Sequence, residues 1–191
     1  MIDIEQKIDT LYDLLIDNFG TLEAELKDLI SNPEKIKETN KFADLISELK
    51  NSTFINPLLQ AISVSNNNDP WLSDFLYATI NLLDESSVDD EFEIPKNLIN
   101  KLKDWILENK NELSWKASSL LKFYESESAE KIQLQKLEER GDFFMAYAEC
   151  LNGLLRYNEA KYIELVAEIS NDDTRDKKLI EYCEKVIKNY R

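Results

Sequence analysis

Apolar residues recur along this chain at intervals of three and four, the spacing that places them on one face of an α-helix. The first such run begins at Ile4 and continues to Phe19, and Gly20 stands where a helix commonly ends. Comparable runs follow almost to the last residue, and no segment has the short-period alternation of a credible strand. The pattern predicts an all-α protein.

Proline marks the starts of several predicted helices. Asn32-Pro33, Asn56-Pro57 and Asp69-Pro70 each combine a helix-capping residue with proline at the first helical position, and Pro95 opens a further helix. The runs between these marks give about eleven short helices, the last three at 143–155, 157–169 and 179–190. We therefore expect a single all-helical domain over 1–191, either an irregular bundle of short antiparallel helices or a short α-solenoid-like array.

One long irregular stretch, residues 85–94, interrupts the helical pattern and is expected to form an acidic surface loop. No basic residue falls between positions 84 and 93, whereas Val88, Phe92 and Ile94 are interleaved among the acids Asp84, Glu85, Asp89, Asp90, Glu91 and Glu93. A plain acidic linker does not need these apolar residues. Either they anchor the loop to the core, or Phe92 is an exposed anchor for a partner and is ringed by charge.

The charge of the chain is large and uneven. The 191 residues carry 38 acidic and 23 basic side chains, for a net charge of −15, and residues 1–93 alone contain 20 acids and 6 bases. Such a field repels nucleic acid and anionic membranes and accelerates association with basic proteins. Solubility alone is the other explanation of this charge.

Acidic residues also follow one another along the first predicted helix. Glu5, Asp9, Asp13 and Asp17 are spaced at i, i+4, and Lys7 is the only base before Lys27. Like charges at this spacing destabilise an isolated helix by a few tenths of a kcal/mol per pair, roughly. The arrangement indicates either lysines supplied by another helix or a cationic partner.

The chain has little of the chemistry that enzymes use. It contains no histidine, which excludes histidine-based triads and most zinc sites, and its 3 glycines form no phosphate-binding loop. Adjacent carboxylates such as Glu138 and Glu139 point about 100° apart on a helix, so they do not form an acid/base pair. We predict no catalytic residue, no metal and no cofactor.

The N-terminal segment, the lengths of the apolar runs and the cysteines indicate the cellular compartment. The chain begins with an acidic segment rather than a signal peptide, and no window of apolar residues is long enough to span a membrane. Cys150 and Cys183 each lie in an apolar helical pattern, which favours reduced core thiols over a disulfide. The predicted location is the cytoplasm.

Residues 141–172 resemble a single tetratricopeptide repeat. Phe144, Tyr147, Ala148 and Leu151 match the large and small positions of its first helix, and Tyr157-Asn158-Glu159-Ala160 resembles the turn into its second helix. Glu164 and Asp172 depart from the repeat pattern. An ordinary closely packed helical hairpin explains the same residues. If the resemblance holds, it implies protein–protein binding.

The acidic character, the helical fold and the poor catalytic inventory together resemble the immunity proteins of bacterial toxin systems, including contact-dependent inhibition. Residues 1–20 and 84–94 carry this resemblance. It implies a protein without enzymatic activity that neutralises one basic protein partner, a nuclease-type toxin. The expected partner-binding residues are Glu5, Asp9, Asp13, Asp17, Asp84, Glu85, Asp89, Asp90, Glu91, Phe92 and Glu93. A helical-repeat adaptor or scaffold is the alternative, and the oligomeric state is left open.

Overall fold

A computed structural model describes residues 4–85, 92–108, 111–139 and 143–190. Side chains are described for those of these residues that lie between positions 18 and 189. Helices account for 79% of the structure, and the described residues contain no strand, which confirms the all-α prediction. The described part of the chain forms nine α-helices: α1 (Ile4–Ser31), α2 (Thr39–Glu48), α3 (Ile55–Val64), α4 (Leu72–Glu85), α5 (Leu98–Glu108), α6 (Glu112–Leu121), α7 (Glu127–Glu138), α8 (Phe144–Ser170) and α9 (Lys177–Tyr190).

The described residues contain fewer helices than the eleven or so expected, because at two places one continuous element stands where two helices were expected. The first is Gly20, which was expected to end a helix but lies within the continuous helix α1. Glycine in a helix interior costs only about 1 kcal/mol relative to alanine, and no proline follows to stop the helix. The buried side chains of Leu26 and Ile30, further along α1, secure the C-terminal half of the helix on the core.

The second difference lies in α8, where two helices were expected. Asn158 has non-helical backbone angles (φ −158°, ψ 89°), and its Oδ1 accepts a hydrogen bond from the backbone N–H of Lys161 at 3.1 Å. Asn158 therefore caps the C-terminal segment of α8. The connection expected near position 156, between the two predicted helices, is this single non-helical residue. Ala160, the last residue of the stretch that resembles the turn of a tetratricopeptide repeat, is exposed.

The prolines lie near the expected helix starts, but Asn56 lies inside α3 instead of capping it, and Asn32 makes no side-chain capping bond. Pro57 lies in the first turn of α3, and Pro70 and Pro95 come shortly before α4 and α5. Pro33 instead opens a short 3₁₀ turn, Pro33–Lys35, and α2 begins only at Thr39. A second 3₁₀ turn, Ser52–Phe54, leads into α3.

Buried apolar side chains form two clusters. The larger one contains side chains from α1 to α7, including Phe54, Phe75 and Trp105, so it draws on both sides of the acidic stretch. The smaller one is built from α7, α8 and α9 and includes Leu151, Val166 and both cysteines. The helix α6 packs against α4, α5 and α8 and so lies between the two clusters.

One face of α5 and the residues just before it complete the backbone hydrogen bonds at the end of α3. Asn97 Nδ2 donates to the carbonyl oxygen of Ser63 at 2.8 Å, and the ammonium of Lys101 donates to the carbonyl of Ser65. One turn further on, Trp105 Nε1 donates to Asn67 Oδ1 at 2.6 Å. Because buried carbonyls at a helix end need partners, these contacts fix how α3 and α5 meet.

Replacing glycine by alanine should have opposite effects on stability at Gly153 and at Gly20. A Cβ at Gly153 would lie 2.0 Å from Gln133 Nε2, on a side chain that is itself buried, and 3.1 Å from Lys122 Cα. We expect Gly153→Ala to lower the free energy of unfolding by about 1–3 kcal/mol. Gly20 has open space around it, so Gly20→Ala should raise helix stability by up to about 1 kcal/mol. Thermal and denaturant unfolding followed by circular dichroism would measure both, and stabilisation by both substitutions would contradict the packing at Gly153.

Both cysteines are free and fully buried. Burial raises the pKa of the Cys150 thiol to about 12 and that of Cys183 to about 11. At pH 8 only about one Cys150 thiol in ten thousand is then the reactive thiolate, in addition to its steric protection. We expect an aromatic disulfide reagent to leave both thiols unmodified in the native protein and to label both in guanidinium. Rapid labelling without denaturant would contradict this packing.

Candidate functional site

The acidic groove is a cleft between α2 and α4 with a volume of about 310 Å³. Ser47 and Asn81 join its two sides, because Asn81 Nδ2 donates to Ser47 Oγ at 3.3 Å. The groove lies at the C-terminal end of α4, where that helix emerges from the core. Its lining consists of Asp44, Ser47, Glu48, Lys50, Tyr77, Asn81, Asp84 and Glu85.

Four carboxylates and one ammonium line the acidic groove. The ammonium of Lys50 lies 2.9 Å from Glu85 Oε2 in an exposed ion pair. Asp44 and Glu48 are exposed and belong to none of the ion pairs found among the described residues. They are one turn apart on α2, so their charges add on the same side of the groove.

Asp84 has a cation supplied from within the chain. Lys122, at the end of α6, lies 3.3 Å from Asp84 Oδ1 and 3.5 Å from Glu149 Oε2 of α8. The Lys122 side chain is only 16% exposed, whereas that of Asp84 is 52% exposed. One lysine thus joins α4, α6 and α8, and Asp84 contributes to the fold as well as to the charge of the groove.

Tyr77 adds an aromatic surface to the acidic groove. Its side chain is 41% exposed, and the ammonium of Lys116 lies 5.8 Å from the centre of its ring. Lys116 is itself held in place by Ser73, whose hydroxyl accepts its hydrogen bond at 2.7 Å, and by Glu112 at 2.7 Å. The groove therefore offers a fixed, partly exposed aromatic ring beside its carboxylates.

The backbone of Lys50 is unusual. Its φ angle of 49° places it in the left-handed region, and it is the only non-glycine residue with positive φ among the described residues. Its N–H donates to the carbonyl of Ser47 at 3.2 Å, which ends α2. Glycine is the usual residue at such a position, because a side chain costs about 1–2 kcal/mol there.

Only part of the predicted binding surface meets at the acidic groove. Asp84 and Glu85 line it, whereas Glu93 lies at a separate groove with Asn56, where the Glu93 N–H donates to Asn56 Oδ1 at 2.8 Å. Phe92 is half-buried and packs against the larger core cluster, which is the packing expected of a loop anchor. Asp89, Asp90 and Glu91 lie outside the described residues, as do the side chains of Glu5, Asp9, Asp13 and Asp17 on α1.

Sequence reasoning missed Asp44, Glu48 and Tyr77 as site residues. The i, i+4 spacing of the two acids was visible, but it resembles many solvated helix faces and shows no connection to position 84. Only the packing of α2 on α4 brings these residues to one cleft. Tyr77 gave no sequence signal of its own, because its exposure follows from how α4 packs.

No metal-binding or membrane-spanning feature is found in the described part of the chain. No group of three or more His, Cys, Asp or Glu side chains there could hold a metal ion. None of its helices is both long and apolar enough to cross a bilayer. Comparison with protein-family models, curated proteins and solved structures finds no match for this chain.

The strained backbone of Lys50 predicts a difference between two substitutions. Lys50→Gly and Lys50→Ala both remove the exposed ion pair with Glu85, which stabilises the fold by at most about 1 kcal/mol. Only glycine also removes the strain, so Lys50→Gly should be more stable than Lys50→Ala by about 1 kcal/mol in denaturant unfolding. Equal stabilities of the two variants would show that the left-handed conformation is not retained.

Proposed function

We propose that this protein is a non-catalytic acidic binding protein that neutralises a basic protein partner. The specific proposal is an immunity protein that blocks a cognate nuclease-type toxin in the bacterial cytoplasm. The observation that supports it best is the acidic groove, which combines four carboxylates with the exposed ring of Tyr77. A basic side chain entering this groove would meet both opposite charge and an aromatic surface.

The charges of the groove divide into two kinds, and this division predicts their roles. Asp84 and Glu85 have lysine partners within the chain, at 3.3 and 2.9 Å. Asp44 and Glu48 belong to no ion pair of the described residues, so their field acts outward. Exposed charges of this kind mainly change the rate of association and the choice of partner.

A helical-repeat adaptor is the second candidate function. The break of α8 at Asn158 falls at the turn position of the tetratricopeptide resemblance and favours this alternative. A repeat adaptor binds an extended peptide along a concave helical surface, whereas a toxin inhibitor covers a folded active site. Competition between the partner's nucleic-acid substrate and this protein would distinguish the two, because only the inhibitor blocks substrate.

Neutralising Asp44 and Glu48 provides the kinetic test. For a basic protein that copurifies with this chain, Asp44→Asn with Glu48→Gln should lower the association rate about two- to tenfold at low salt. The dependence of that rate on salt should also become weaker, whereas the dissociation rate should change little. Stopped-flow fluorescence at several salt concentrations would measure all three.

The matched control is Glu164→Gln with Glu168→Gln, which changes the charge equally at the same spacing on exposed positions of α8. This control should leave the association rate close to that of the unmodified protein. Equal slowing by both pairs would mean that overall charge rather than the acidic groove steers the partner. A partner that proves to be acidic, or to be a nucleic acid, would overturn the proposed function.

A further inference from the structure

The middle of α1 projects from the core. All residues from 18 to 25 except Glu23 are exposed, and a Cβ added at Gly20 would meet nothing within 4 Å. Phe19 and Leu22 are 41% and 45% exposed in this segment, and their i, i+3 spacing makes them neighbours on the helix surface. Together they form an apolar patch rather than two scattered exposed residues.

This patch continues the apolar stripe of the same helix. Four residues beyond Leu22, Leu26 is 5% exposed, and Ile30 is fully buried in the larger core cluster. In the opposite direction the sequence carries the same 3–4 spacing through Leu15, Leu11, Ile8 and Ile4. The chain's own core thus covers one end of the stripe and leaves Phe19 and Leu22 uncovered. This face is therefore suited to packing against the surface of another molecule.

Charge indicates what kind of surface this is. The first 22 residues contain five acids, Asp3, Glu5, Asp9, Asp13 and Asp17, and a single base, Lys7. A second copy of this chain would bring like charges together along α1, which disfavours pairing of the helix with itself. A basic surface with its own apolar stripe would instead gain both charge complementarity and burial.

We propose that Phe19 and Leu22 are the apolar anchors at which α1 binds an amphipathic, basic helix of the partner protein. This inference rests on the proposed function for the basic character of the partner. It moves the anchor role from Phe92, which packs against the core, to two residues that the fold leaves uncovered. Anchors of this kind chiefly slow dissociation, whereas the acidic groove acts on association.

Three synthetic helical peptides serve as probes. The first has a leucine stripe flanked by lysine and arginine, the second has glutamate in place of every basic residue, and the third keeps the basic composition but has its order shuffled to remove the stripe. Binding of each is measured by calorimetry with the unmodified full chain, with the variant Phe19→Ser/Leu22→Ser and with the groove variant Asp44→Asn/Glu48→Gln. Val64→Ser is the matched control, because Val64 is a 66% exposed apolar residue on α3.

The proposal expects the basic striped peptide to bind, and the double serine variant to weaken its affinity at least about tenfold, while Val64→Ser has no effect. Failure of this peptide to bind, or unchanged affinity in the double variant, overturns the proposal. If binding depends on Asp44 and Glu48 but not on Phe19 and Leu22, docking on α1 fails and the proposed function stands. Equal binding of the acidic peptide at Phe19 and Leu22 overturns the requirement for a basic partner. Sedimentation velocity showing a dimer that the double variant dissociates overturns it in favour of a second copy.

Discussion

Burial of α4 is the constraint on which this fold depends. Half of its residues are buried, and α2, α3 and α6 all pack against it. A helix enclosed in this way must be apolar over most of its surface, and its polar groups must be satisfied locally, as in the bond from the Thr79 hydroxyl to the Phe75 carbonyl. Its C-terminal end leaves the core and becomes polar, which is why Asp84 and Glu85 lie beside α2.

Some charged side chains of this protein form ion pairs that hold helices together, whereas others face the surroundings. Lys122, largely buried, joins Asp84 to Glu149 and so connects three helices. Across α7 and α8, Glu130 accepts bonds from both Lys161 and Tyr162, which lowers its pKa. Asp44 and Glu48 have no such role in the described structure, and we assign the outward field of the acidic groove to them.

The two proposed surfaces differ in their physics. The acidic groove is charged, its four carboxylates are exposed, and exposed charges contribute little to affinity individually. The patch of Phe19 and Leu22 is apolar and uncovered, and a desolvated anchor of this kind can contribute strongly to a complex. A partner that used both would be attracted by the first surface and retained by the second.

The sequence by itself determined the helical class, the positions of most helices and the burial of both cysteines, because apolar spacing and proline act locally. Local signals were insufficient at Gly20, where the helical conformation of the flanking residues outweighed a weak stop, and at Phe92, whose packing depends on distant residues. Only the packing of helices in the tertiary structure places Asp44 and Glu48 beside Asp84. The same packing leaves Phe19 exposed, although it buries Leu26 on the same stripe. Spacing along a chain specifies which residues share a face, whereas which neighbour covers that face is decided by packing between helices.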